Sequence, residues 1–88
     1  MNTYKHLLHA THQYDPLSTE YFRIVRAVNS YNSLNQRWYD DPQSRRQIEP
    51  LIEQARQWCE AIQYAITNGT AIPSLREIER GERLGSSV

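Results

Sequence analysis

Eighty-eight residues carrying ten basic and ten acidic side chains amount to one small domain without net charge, so the whole molecule lacks the positive field that usually accompanies nucleic-acid binding. A chain of this size buries a modest share of its surface and often needs a staple or a partner. Cys59 is the single cysteine, which excludes an intramolecular disulfide and fits a reducing compartment. The run from Met1 to His9 is too polar for a signal peptide and no stretch approaches the ~20 apolar residues of a membrane span; a soluble, cytoplasmic protein with no membrane partner is the expectation.

Taken in chain order, the first predicted element is a short helix from about Thr3 to Gln13. Placed at ~100° per residue, Tyr4, Leu7, Leu8, Thr11 and Tyr14 share one side, with His6, His9 and His12 opposite. Asp15-Pro16 then opens a long helix, because Asp is a favoured N-cap and Pro fits the first helical position, where its missing N–H would be unpaired anyway. This second helix runs from Pro16 to Tyr39. Leu17, Tyr21, Ile24, Val28, Tyr31, Asn35 and Trp38 recur at alternating steps of four and three, a heptad seam with Asn35 as its strongly polar member. Val25 and Leu34 widen it, while Arg23, Arg26, Ser30, Ser33 and Arg37 occupy the far side with Phe22 alone among them.

A second Asp-Pro pair, Asp41-Pro42, starts the third helix; Ser44 with Gln47 three residues on is the alternative start, as a capping box. Its apolar stripe is Ile48, Leu51, Ile52, Ala55, Trp58, Cys59, Ile62, Ala65 and Ile66, and Asn68-Gly69 ends it. Pro50 removes one helical hydrogen bond, but Ile48 stays in phase with the residues beyond, so a kink is expected rather than a break. Ser74-Leu75-Arg76-Glu77 is a further capping box, opening a short last helix that Gly81 ends. Residues 85 to 88 should fray. The chain thus reads as a single helical domain over 1-88: an all-α antiparallel hairpin of two long helices, with a short helix at each end and two stripes broad enough for two hairpins to close a dimeric four-helix bundle.

The chemistry that this pattern supports is weak. His6, His9 and His12, three apart, resemble a metal motif, but each step of three turns the ring ~60° around the helix, so the outer two diverge and no metal or other cofactor is expected. Cys59 stands within the apolar stripe, where a thiol is desolvated and a poor nucleophile. No Gly-rich phosphate loop or Ser/His/Asp ordering is present, and Asp40 and Asp41 are explained by the turn, so no enzyme is expected. Nine of ten cations are Arg, which favours forked, planar contacts. Interface hot spots are rich in Trp, Tyr and Arg, so Phe22, Arg26, Arg37, Tyr39 and Tyr64 are the candidate residues for docking on a protein partner, with self-association through the same stripes. The alternative is a nucleic-acid-binding face built from Arg23, Arg26, Arg37, Arg45 and Arg46.

Overall fold

Asp15-Pro16 folds as a turn and leaves the helix start to Ser18. In the computed structural model, which describes residues 3–80, the Asp15 carboxylate accepts the Leu17 N–H at 2.8 Å and its carbonyl accepts the Ser18 N–H at 2.8 Å, with Pro16 in the second position that its fixed φ favours. Ser18 is extended and its hydroxyl accepts the Tyr21 N–H at 3.2 Å, a cap worth about 0.5–2 kcal/mol. The long second helix, α2, therefore covers Thr19–Asp40 and begins three residues later than the sequence suggested. Before it come α1, Lys5–Ala10, and a 3₁₀ turn, Thr11–Gln13; after it come a 3₁₀ turn, Pro42–Ser44, then α3, Arg45–Asn68, and α4, Leu75–Glu79. No strand occurs among the described residues. The fold is all-α, with α2 and α3 packed antiparallel and the short helices at the ends of the chain.

The start of α3 also differs in detail. The Ser44 hydroxyl donates to the Asp41 carboxylate at 2.7 Å, so it caps no backbone N–H and the Ser44–Gln47 box does not form. Asp41-Pro42 opens the 3₁₀ turn that precedes the helix. Pro50, the sixth residue of α3, interrupts nothing: the helix continues to Asn68, and Ile48 is buried in phase with Ala55. Gly69 ends it in the left-handed conformation at φ 68°, where a side chain would be strained. Ser74 and Glu77 form the expected reciprocal capping box. The expected stop at Gly81 and the tail at 85–88 lie outside the described residues.

The core joins Ile24, Ala27 and Val28 of α2 to Trp58, Cys59, Ile62 and Ala65 of α3, closed by Leu7 from α1 and Ile72 from the segment after Gly69. Its centre lies toward the open end of the hairpin, away from the 40–45 turn. Leu17 and Leu51 of the expected stripes are exposed. Leu17 is 85% exposed because it lies in the turn before α2, and Leu51, the seventh residue of α3, is 48% exposed.

Two side chains from opposite helices fasten the segment that follows α3. Arg23 donates to the Ile72 carbonyl at 2.7 Å, and the buried Trp58 indole N–H donates to the adjacent Pro73 carbonyl at 2.9 Å. Replacing Trp58 by Phe keeps a ring in the core but leaves a buried carbonyl without its donor, so a loss of about 1–3 kcal/mol is expected in urea unfolding. On the other side of the hairpin, the N-terminal segment is held by paired bonds between the Thr3 backbone and the Asn32 amide at 3.1 and 3.2 Å. Tyr4, the one non-glycine residue with positive φ among those described, stacks edge-on against Tyr31 at 5.2 Å and donates its hydroxyl to Glu60. Its left-handed backbone costs about 1–2 kcal/mol, which these contacts offset.

Candidate functional site

At four- and three-residue steps, the outer face of α2 presents Phe22, Arg26, Asn29, Ser33 and Arg37, all exposed and opposite Ile24, Val28 and Tyr31. Phe22 is 52% exposed and rests edge-on against Tyr21 at 6.0 Å. Among the described residues, neither the Arg26 nor the Arg37 guanidinium forms a salt bridge or a hydrogen bond within the chain; the salt bridge that is present joins Arg56 to Glu53. No acidic residue interrupts the face between Phe22 and Arg37. These two guanidiniums and one ring are thus held on a rigid helix with their hydrogen-bonding capacity open.

The other candidate residues lie elsewhere. Tyr39, 70% exposed, belongs to the edge of the hairpin near the turn, and Tyr64, 53% exposed, lies on the outer face of α3. Tyr64 is turned away from α2, so the five sequence candidates divide among three surfaces. The arginines divide as well. Arg23 is half-buried and fixed on the Ile72 carbonyl. Arg45 is half-buried, donates to the Trp38 carbonyl at 2.8 Å and lies over the Trp38 ring at 4.1 Å. Arg46 remains exposed on α3.

An open cleft of about 290 Å³ lies between α2 and α3 near the turn, lined by Asn35, Trp38, Tyr39, Glu49, Ile52 and Glu53. Trp38 donates its indole N–H to Glu49 at 3.1 Å and meets Tyr39 edge-on at 5.4 Å. Asn35, expected in the sequence as a polar member of the seam, donates its amide to the Tyr31 carbonyl of its own helix at 3.1 Å. Glu53 accepts both Arg56 hydrogen bonds, at 3.1 and 2.5 Å, and this partner holds its carboxyl below the usual range. The periodicity puts Asn35 and Ile52 on the apolar stripes, and the fold brings them beside Glu49 and Glu53. The signal that unites them is position: they lie at similar distances on either side of the 40–45 turn.

The His6 ring donates its Nε2–H to the Gln63 side-chain oxygen at 2.6 Å, while His9 and His12 are exposed. Among the described residues no three His, Cys, Asp or Glu side chains converge as metal ligands. Cys59 is wholly buried, and burial, with the nearby Glu60 charge, pushes its thiol up to about 12. No described helix is long and apolar enough to cross a membrane. The chain matches no protein-family model, no curated protein and no solved structure, so its chemistry has to be read from these surfaces.

Proposed function

We propose that this chain is a small helical interaction module of a reducing, cytoplasmic compartment that docks on another protein, as an adaptor, assembly factor or inhibitor, without catalysis and without a cofactor. One observation carries the reading: the outer face of α2 holds Phe22, Arg26 and Arg37 exposed, on a rigid scaffold, with no intramolecular task. Arginine and aromatic side chains concentrate binding free energy at interfaces. A nucleic-acid-binding face built from five arginines has less support, because Arg23 and Arg45 are engaged by the Ile72 and Trp38 carbonyls. A second copy is a further protein partner within this reading, since Leu51 and Tyr39 leave apolar surface near the turn uncovered.

Affinity capture from the source cell with and without nuclease, followed by mass spectrometry, tests the class of partner. A protein retained after nuclease treatment, and lost with the Phe22→Ala, Arg26→Ala variant, is the expected result. Capture that disappears with nuclease, or that shows steep salt dependence and loss on neutralising Arg26 and Arg46, would replace this reading with the nucleic-acid one. Sedimentation at high micromolar concentration should show reversible self-association if the second copy is the partner.

A further inference from the structure

The two ends of the chain are fastened to opposite sides of the hairpin by unlike means. At ~100° per residue, Trp58, Ile62, Cys59, Gln63 and Glu60 follow one another around α3 in that order, and Arg23, Ile24, Val28 and Asn32 do so around α2. The first residue of each series holds the 72–73 segment, and the last ones hold the N-terminal segment. Val28 and Cys59, both wholly buried, therefore lie toward the side that residues 3–14 cover, and Leu7 of that segment is buried in the same cluster.

On the far side the fastening is deep: the Trp58 indole bond is buried, and so are Ile72 and Pro73. Among the described residues, every hydrogen bond from the N-terminal segment to the hairpin lies at the exposed edge. These bonds join the Thr3 backbone to the Asn32 amide, the Tyr4 hydroxyl to Glu60, and the His6 ring to Gln63. The buried Thr11 hydroxyl donates to the Leu8 carbonyl at 2.6 Å, a bond inside the segment that travels with it. The left-handed backbone of Tyr4 relaxes once its ring is released. At six residues, α1 is far shorter than the ~12–15 that an isolated helix needs, so a detached segment also gains chain entropy. Asp15, Pro16 and Leu17, which join it to α2, are exposed and bonded only to near neighbours.

We propose that residues 3–14 form a strap that lifts as a unit about the 15–17 turn, baring Val28 and Cys59, while α2, α3 and the 72–73 segment stay folded. The apolar face beneath it thus passes from covered to open without global unfolding, as weakly held elements do.

Cys59 reports this opening in the full chain. Its alkylation by iodoacetamide, followed by mass spectrometry, should proceed at a rate almost independent of urea below the unfolding transition, because lifting a strap exposes little surface. Tyr4→Phe and Asn32→Ala, which remove rim bonds of the strap and leave the core side chains in place, should together raise that rate at least about tenfold. Trp58→Phe and Ile72→Val, which loosen the far side, should lower the urea midpoint but leave the rate within about twofold, since strap-open and closed forms lose those contacts alike. Amide hydrogen exchange gives a readout that does not use the thiol: the protected amides of α1 should share one opening constant, larger than that of Ile24 and Ile62. Alkylation that accelerates with urea in parallel with unfolding, or that is raised by the far-side variants as much as by the strap variants, would overturn the proposal. So would α1 amides that exchange only with global unfolding.

Discussion

Replacing Ile62 by Ala should lower the unfolding free energy by about 2–5 kcal/mol, the largest stability loss expected from a single aliphatic truncation in this chain. Ile62 is wholly buried beside Ile24, Val28, Cys59 and Ile72, where two long helices, the segment after Gly69 and α1 meet. With elements on several sides, the cavity cannot collapse by a shift of one helix. Ile52→Ala on the same stripe should cost clearly less, because Ile52 is only half-buried and lines an open cleft that water already reaches. Urea unfolding of the two variants, with unchanged slopes, separates them. Equal losses would mean that the core extends to the turn.

Cys59 should react with a thiol reagent at pH 8 roughly a thousandfold more slowly than an unperturbed cysteine, since the thiolate is the nucleophile and its pKa moves from 9.0 to about 12. Exclusion of the reagent by the packed helices slows it further. The same shift links stability to pH. A thiol that resists ionisation in the fold but ionises at its ordinary pKa when unfolded contributes fully below pH 9.0, and that contribution is lost as pH rises toward 12. Tyr4, whose hydroxyl is raised by burial and by its bond to Glu60, acts with the same sign above its ordinary 10.0. Melting temperatures measured from pH 8 to 11 should therefore fall, and fall less steeply in Cys59→Ala. A rapid reaction of the native thiol, or a flat alkaline limb in the parent chain, would contradict this.

Much of the architecture is legible in the residues. The four- and three-residue steps through Ile24, Val28 and Tyr31 define the buried side of α2, and the stripe from Ile48 to Ala65 defines that of α3. Gly69 and the Ser74–Glu77 box mark a helix end and a helix start by chemistry that does not depend on distant contacts. Asp-Pro serves a turn and an N-cap equally well, so the start of α2 differs from the expected one and falls to Ser18, two residues beyond Pro16. Neither the fastening of Ile72 and Pro73 by Arg23 and Trp58 nor the cleft could be read in this way. Each joins residues on different elements, and local periodicity carries no information about where a loop returns. Arg23 and Arg26, three residues apart on one helix, looked equivalent in sequence; the return of the chain after Gly69 is what separates a structural arginine from a free one.

The most direct test of the interaction-module reading pairs stability with affinity in the Phe22→Ala, Arg26→Ala, Arg37→Ala variant. With the captured partner in hand, its melting temperature should stay within a few degrees of the parent while the dissociation constant rises at least about tenfold, equivalent to about 1.4 kcal/mol. Unchanged affinity, or a loss of affinity that merely follows a collapse in melting temperature, would contradict it.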